Sequence, residues 1–218
     1  MYSQSIRLLR FSMTHDGRFT GRLTVFPLAE APPFYTVSYT WGKDKESNTT
    51  IDLDSIELPV LPNLVPFMRM VSQHPDFSDN QWWWIDSLCI NLTDIREREQ
   101  QVQLMANIYK RSRSVIVWLG NEVEPGSDCT QALDFLLYLS TLPLSPSWSS
   151  NPAAREDQNT IRQALRDPRY SAQWNALSNL LSRPWWSRVW TLQEFVLPAK
   201  GRICCGTETC RLIIRCTT

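Results

Sequence analysis

The chain has 218 residues, of which 43% are apolar and 20% are charged, a composition typical of globular proteins that argues against disorder. Twenty-two basic residues balance twenty-two acidic ones. With no global charge to attract a nucleic acid or an anionic membrane, we expect neither as a partner. The first residues lack the apolar core of a signal peptide, and no apolar run approaches the length of about 18 residues that a membrane span needs. We therefore expect a cytoplasmic protein.

The cysteines and histidines do not predict a metal site. There is no CxxC pair, and His15 and His74 lie far apart in the sequence. Their spacing fits no usual zinc pattern, so we expect no metal and free thiols in a reducing compartment. The cysteines are Cys89, Cys129, Cys204, Cys205, Cys210 and Cys216.

Alternating apolar and polar residues predict strands at the start of the chain. Residues 5–11 and 22–26 alternate on either side of a turn-rich stretch and predict a β-hairpin with a long connection. Residues 34–41 predict a further strand that ends at Gly42, and residues 50–58 predict a short second hairpin.

A helix is predicted over residues 63–71, with an interruption or kink near Pro66 because a proline inside a helix removes a hydrogen bond.

The middle of the chain predicts a strand–helix–strand unit. Residues 82–86 and 114–119 are short apolar runs, as in parallel strands that are covered on both faces. Between them, residues 95–111 predict a helix, with Asp94 as N-cap and Glu97 completing a capping box. The apolar face of this helix is expected at Val102, Met105, Ala106 and Tyr109.

The second half continues the alternation of helices and strands. Helices are predicted over residues 129–139, 170–182 and 185–197, a Pro- and Ser-rich surface loop over 141–158, and a strand over 201–205. The alternation after residue 80 predicts an α/β fold.

Ligands of α/β sheets bind beyond the carboxyl ends of the strands, and this rule nominates three places. They are Trp41 with Gly42, Asp86 with Asn91, and the loop after Gly120. Trp41 beside a glycine suits stacking on a planar ligand, but packing in the core or a lid also explains it. Asp86 suits a functional site or a turn cap equally well.

One carboxylate stands at the end of an aromatic stripe. On a regular helix over 185–197, Trp186, Trp190 and Glu194 lie near one face, whereas Arg183 and Arg188 point elsewhere. Glu194 could then face water, pair with an arginine, or lie in a desolvated cleft with a raised pKa.

Three segments together resemble the fungal heterokaryon incompatibility (HET) domain family. They are YTVSYTWG at 35–42, the long segment WIDSLCIN to VIVWLG at 84–120, and RPWWSRVWTLQEFVLPA at 183–199. Leu92 replaces the Gln usual after CIN, and the tail lacks the expected Trp-containing segment, so we expect a truncated domain.

HET domains are in turn distantly similar to TIR domains, which have a flavodoxin-like, mainly parallel sheet flanked by helices. WTLQEF resembles the TIR stretch W-C-L-x-E-L, whose Glu is catalytic in members that cleave NAD. Trp190 and Glu194 match that spacing.

The resemblance implies one HET domain that acts as a programmed-cell-death effector in non-self recognition, by TIR-like cleavage of NAD+. Glu194 would be catalytic, and Trp41, Gly42, Asp86, Asn91 and Trp190 would bind substrate. Self-association is expected, and other incompatibility or NLR-type proteins are further candidate partners. A non-catalytic self-associating scaffold and an inactive truncated member stay open as alternatives.

The expected parts of this domain follow the chain. They are an N-terminal β extension (1–33), a first α/β half (34–120), a helical insertion (121–182), and the Glu194 helix with a last strand (183–218).

Overall fold

The computed structural model describes residues 4–42, 48–77, 80–121, 129–141, 166–206 and 208–209. Two compact units are separated by their internal contacts, one formed by residues 1–121 with 187–218 and the other by residues 122–186. The finer division into four parts stays a prediction. Residues 142–158 of the predicted Pro- and Ser-rich loop and the tail from residue 210 onward lie outside the described residues.

Nine strands of the described residues form one sheet in the first unit, in the order β5-β4-β2-β1-β6-β3-β7-β8-β9. The central strands β6, β3, β7 and β8 pair in parallel, and so do β2 and β4. The remaining pairs are antiparallel. The α/β class is confirmed, with a mixed sheet whose centre is parallel. The strands are β1 (Ser5–Met13), β2 (Phe19–Pro27), β3 (Phe34–Tyr39), β4 (Thr50–Leu53), β5 (Ile56–Pro59), β6 (Trp82–Trp84), β7 (Ser114–Trp118), β8 (Gly201–Cys205) and β9 (Glu208–Thr209).

The core lies at the centre of this sheet, where every residue of β3 and β7 is buried. Strands covered on both faces need apolar side chains on both, which explains their continuous apolar runs. The predicted strand–helix–strand unit is present, but β6 and β7 are not neighbours, because β3 lies between them. Strand β3, which comes earlier in the chain, therefore lies between the two strands of the predicted strand–helix–strand unit.

Both predicted hairpins are confirmed. Strands β1 and β2 pair antiparallel along their whole length, from Ser5 opposite Pro27 to Met13 opposite Phe19. Strands β4 and β5 are joined by Asp54 and Ser55, whose φ angles are +53° and +73°. Two successive residues with positive φ form the tight turn whose twist suits a hairpin.

In the sequence, three helices of the first unit lie between β5 and β7. The first of them differs from its prediction. They are α1 (Val65–Gln73), α2 (Asp86–Cys89) and α3 (Ile95–Arg111). Pro66 does not kink α1; it lies in the first turn of that helix. A first-turn residue has no intrahelical partner for its N–H, so the proline costs nothing there.

Helix α3 has its predicted bounds, but only half of the predicted capping box. The Asp94 carboxylate accepts hydrogen bonds from the backbone N–H groups of Arg96 and Glu97. The Glu97 carboxylate does not return to Asp94; it accepts from the Asn91 N–H at 2.8 Å and pairs with Arg7. Glu97 therefore connects α3 to strand β1.

Of the predicted apolar face of α3, only Tyr109 is buried. Tyr109 is buried, together with Gln101 and Ile108. Val102 is 41% exposed, and Ala106 is exposed as well. The helical period finds the apolar stripe correctly, but a stripe that borders a cavity has the same period as one that borders the core.

The second unit contains the helices α4 (Cys129–Thr141) and α5 (Ser171–Leu181), as predicted. The Phe135 ring of α4 meets the Trp174 ring of α5 edge-on, with centroids 4.8 Å apart. Such edge-to-face pairs add to the stabilisation from apolar burial.

The predicted continuous helix over residues 185–197 is wrong. A 3-10 turn over Pro184–Ser187 is followed by non-helical backbone and then by the short helix α6 (Thr191–Val196). The Thr191 hydroxyl donates to the Arg188 carbonyl at 2.6 Å, closing a local turn. Tertiary contacts override weak local propensity, and Arg188, which lies in this break, contacts the Tyr39 carbonyl and Glu194.

The cysteine prediction is only partly right. Cys89 is a buried free thiol and Cys204 is buried without a disulfide, whereas Cys129 and Cys205 each take part in a disulfide. Disulfides need two β-carbons within about 4.5 Å, a distance that the fold sets and the sequence spacing does not reveal.

Two features are absent from the described residues. None of their helices has both the length and the apolar character that a membrane crossing requires. Within the same residues, no three His, Cys, Asp or Glu side chains cluster as a metal site would need.

Candidate functional site

Two of the nominated positions meet at one edge of the sheet. Strands β3 and β6 are parallel neighbours, so their carboxyl ends lie at the same edge, where Trp41 follows β3 and Asp86 follows β6. The Trp41 indole N–H donates a hydrogen bond to Asp86 Oδ2 at 2.9 Å. The Ser87 backbone N–H donates to Asp86 Oδ1 at 2.7 Å.

Two opposing effects act on the pKa of the Asp86 carboxyl. Burial raises its pKa because desolvation disfavours the charged form, and the hydrogen bonds from Trp41 and Ser87 act in the opposite direction. The Tyr39 hydroxyl donates to Ser87 Oγ at 2.6 Å. Burial, followed by the charge of Asp86, raises the pKa of Tyr39 well above its usual value, so Tyr39 remains a neutral donor.

Glu194 is the second carboxylate of this region and is only 2% exposed. Its Oε2 accepts a hydrogen bond from the Ser38 hydroxyl of β3. The Arg188 guanidinium lies 3.4 Å from Oε1 and 3.5 Å from Oε2. Burial raises the pKa of Glu194, while the charge of Arg188 and the bond from Ser38 oppose that rise. Of the three environments left open by the sequence, two apply together: Glu194 is desolvated and it is paired.

Arg188 contacts Glu194 in the structure but was not among the residues nominated from the sequence. It was expected to point away from Glu194, but the break before α6 turns it toward the carboxylate, and it also donates to the Tyr39 carbonyl. A signal was available in the chain: a buried carboxylate is tolerated only with a partner, and Arg188 is near in sequence.

A cavity of about 320 Å³ connects these groups. Its wall combines two carboxylates, two guanidinium groups and two indoles with aliphatic and Met side chains. A mostly apolar recess with a few polar groups is the usual form of a small-molecule site. The lining residues are Trp41, Asp86, Ile90, Leu92, Arg98, Val102, Met105, Arg188, Trp190 and Glu194.

The exposed stripe of α3 forms one side of this cavity. Arg98, Val102 and Met105 follow one another at i, i+4 and i+7, so one helix face presents all three. Val102 and Met105 of the predicted apolar face thus belong to a cavity wall. Leu92, the departure from the family pattern, also lines the cavity.

Gly42 and Asn91, both predicted to bind substrate, are not among the lining residues. Gly42 has φ +82°, and a β-carbon there would lie 2.9 Å from Asn63 Nδ2, so glycine is required by the backbone turn and by space. The Asn91 Oδ1 accepts from the Thr93 N–H at 3.2 Å and from the Thr93 hydroxyl at 2.7 Å. Their observed contacts are those of turn residues.

The remaining nominated residues do meet at the cavity. Trp41 and Trp190 both line it, and Trp190 is 46% exposed. Half-exposed indoles beside buried carboxylates can stack on a planar ligand and leave one face accessible. Of the third nominated place, Gly120 and Asn121 do not line the cavity, and residues 122–128 of that loop lie outside the described residues.

Comparison with known proteins identifies the family. The family described as "Heterokaryon incompatibility protein (HET)" matches residues 34–194, which include β3, β6, α3, β7 and the Glu194 segment. The chain belongs to the HET family. It is 26% identical, over 201 residues, to "Heterokaryon incompatibility protein 6, OR allele" of Neurospora crassa. That alignment covers 83% of this chain and 30% of the relative, so the chain spans less than a third of the relative's length. No solved structure matches the chain.

Family membership connects this HET domain with fungal heterokaryon incompatibility. The matched range ends at Glu194 and contains every lining residue of the cavity.

Proposed function

We propose that this HET domain is a cell-death effector of heterokaryon incompatibility that cleaves the nicotinamide–ribose bond of NAD+, with Glu194 as its catalytic residue. The observation that carries the proposal is the position of Glu194. A 2% exposed carboxylate, held from two sides by Ser38 and Arg188, lines a cavity that also contains two indoles and a second carboxylate. Perturbed carboxylates in such recesses are typical of active sites.

The chemistry of the bond suits this arrangement. When the C1′–N bond of NAD+ breaks, nicotinamide leaves as a neutral molecule with the bonding electron pair and needs no acid. The positive charge that develops on the ribose is stabilised by a nearby carboxylate in a water-poor site. Water then adds to C1′ and releases a proton to solvent.

Arg188 has a specific part in this scheme. An oxocarbenium-stabilising carboxylate must be ionised, and burial alone would raise the pKa of Glu194. The Arg188 charge opposes that rise, as does the hydrogen bond from Ser38, so both neighbours favour the ionised form of the desolvated Glu194. Arg188 is thus a positioning residue that acts through Glu194.

The other lining residues supply binding. Trp41 or Trp190 would stack on the nicotinamide ring, and the Asp86 carboxylate would accept hydrogen bonds from ribose hydroxyls. The Trp41–Asp86 hydrogen bond of 2.9 Å fixes the orientation of both groups before a ligand arrives. Such preorganisation lowers the entropic cost of binding.

We propose further that the domain acts in the cytoplasm and by self-association, alone or with other incompatibility or NLR-type proteins. The relative's name, "Heterokaryon incompatibility protein 6", supports the incompatibility role. NAD+ would be a substrate and not a resident cofactor.

The test is nicotinamide release from NAD+ at high protein concentration, with assembly followed by light scattering. Glu194→Gln keeps the size of the side chain and removes its charge, and we expect release to fall by about 100-fold or more. Glu99→Gln is the matched control, because Glu99 is exposed on α3 and does not line the cavity. No release from assembled wild-type protein, or equal release from folded Glu194→Gln, would refute the enzymatic proposal.

One observation favours a second candidate, a non-catalytic self-associating scaffold. Val189 is 89% exposed and Val196 is 48% exposed, on either side of Trp190 and Glu194. Exposed apolar side chains that lie close in sequence suit a protein contact. A scaffold would tolerate Glu194→Gln and lose assembly with Val189→Glu. An inactive member of the family would show neither nicotinamide release nor assembly.

A further inference from the structure

The lining of the cavity is polarised between its inner and outer parts. Glu194 is 2% exposed and lies inside, whereas Arg98 of α3 is an exposed side chain that lines the same cavity. A group that is accessible to solvent and also borders the cavity lies at its opening. The carboxylate is therefore deep and a guanidinium lies at the opening.

Among the described residues, no partner of the Arg98 guanidinium explains its position. In the described part of the chain, no carboxylate pairs with its guanidinium, although Asp94 and Glu97 precede it on the same helix. Asp94 caps the helix, and Glu97 bonds to Asn91 and Arg7. The nearby negative charges are thus engaged elsewhere.

Arg98 and Arg188 therefore have different situations within one cavity. Arg188 donates to Glu194 and to the Tyr39 carbonyl, so its guanidinium is occupied by the protein. The Arg98 guanidinium donates to none of the described residues, so its N–H groups can bind a ligand. An arginine at the opening of a cavity is suited to a phosphate, which it binds with two parallel N–H···O bonds.

We propose that Arg98 binds the phosphate attached to the nicotinamide ribose and so selects phosphorylated nicotinamide nucleotides over the nucleoside. This inference rests on the proposed function, since it assigns two parts of the same ligand to different residues of the cavity. The ribose and its glycosidic bond lie between Asp86 and Glu194, and the 5′ phosphate extends outward to Arg98. The residue determines specificity and takes no part in breaking the bond.

The test is equilibrium binding by calorimetry to the full chain carrying Glu194→Gln, which prevents turnover during the titration. The ligands are nicotinamide riboside, nicotinamide mononucleotide and NAD+, which differ in their phosphates. Arg98→Gln in that background should weaken binding of the two phosphorylated ligands by about tenfold, as expected for losing hydrogen bonds to a charged group. Binding of the riboside should not change.

The matched control is Arg96→Gln, which removes the same charge from an exposed position of α3 that does not line the cavity. If Arg98→Gln and Arg96→Gln have equal effects, the general charge of α3 is responsible and the proposal is overturned. It is also overturned if Arg98→Gln weakens all three ligands alike, or if none of the ligands binds.

The two proposals can fail separately. Nicotinamide release by wild type with the same KM in Arg98→Gln would leave the enzymatic function and remove the phosphate site. The expected binding pattern without release by wild type would establish the phosphate site and remove catalysis.

Discussion

Replacing Arg188 with Met tests whether the buried Glu194 depends on its cationic partner. Met has a similar length and fills the space without charge, so the change isolates the ion pair from packing. The guanidinium lies 3.4 Å from Glu194 Oε1. At an effective dielectric of about 20, two unit charges at that separation attract by about 5 kcal/mol.

The expected cost is smaller than this attraction. The Arg188 side chain is 24% exposed, so water screens part of the charge and part of its solvation is retained. Removing one partner of a buried pair costs about 3–5 kcal/mol, most of it from the charge left behind. We expect a loss of about 3 kcal/mol in the free energy of unfolding at pH 7, toward the lower limit because the contact distances are long.

Urea unfolding of Arg188→Met, Glu194→Gln and the double variant measures this cost and its origin. Glu194→Gln removes the charge that Arg188 compensates, so Arg188→Met should cost about 2 kcal/mol less in the Glu194→Gln background. Coincident transitions by circular dichroism and Trp fluorescence verify that each free energy is defined. Arg96→Met, at an exposed position, is the control for losing an arginine.

The pH dependence of the free energy of unfolding is an independent test of the same reasoning. Without Arg188, burial raises the pKa of Glu194 further in the folded state than in the wild type. A carboxyl whose folded pKa exceeds its unfolded pKa binds more protons when folded, so stability falls as pH rises between those two values. Arg188→Met should therefore cost more at pH 7 than at pH 5. Equal costs at both pH values, and equal costs with and without the Glu194 charge, would refute the reasoning.

Three further predictions concern the described backbone and thiols. Gly42→Ala should lower the free energy of unfolding by about 1 kcal/mol or more beyond the loss caused by Gly17→Ala. Both glycines have positive φ (+82° and +81°), but only at Gly42 would the new β-carbon also lie 2.9 Å from Asn63 Nδ2. Equal losses of stability in urea unfolding would contradict this prediction. Cys89, whose pKa burial raises to about 12, should react with a thiol reagent at pH 8 only after unfolding, and labelling of the native protein would contradict its burial. Ser55→Gly should stabilise the protein by about 0.5–1 kcal/mol, since Ser55 has φ +73°, and a lower urea midpoint would contradict it.

Local sequence patterns predicted several of the elements around the candidate site. The buried runs of β3 and β7 and the capped helix α3 follow from residue order alone, because each pattern lies within one element. The rule that ligands bind beyond the carboxyl ends of parallel strands nominated Trp41 and Asp86 separately, and the structure joins them by a hydrogen bond. Each of these predictions depends on a pattern within a short stretch of chain or on a general rule of sheet topology.

The other side of the site could not be predicted in this way. A regular helix over 185–197 satisfies the local pattern, and only contacts with β3, distant in sequence, favour the break that turns Arg188 toward Glu194. Similarly, Val102 and Met105 match a core-facing stripe, and only the three-dimensional packing shows that a cavity lies in front of them.

The order of residues in β3 explains why both carboxylates belong to one site. Within four positions, Ser38 donates to Glu194, the Tyr39 carbonyl accepts from Arg188, and Trp41 donates to Asp86. Strand β3 is buried and pairs with β6 on one side and β7 on the other, so Ser38 and Tyr39 are held within a strand that is paired on both sides, and Trp41 follows two residues after its end. Groups fixed on such an element keep their geometry better than groups on loops. A change in β3 should therefore disturb both carboxylates together, whereas a change at Trp190 or Arg98 should alter ligand binding and leave the carboxylates in place.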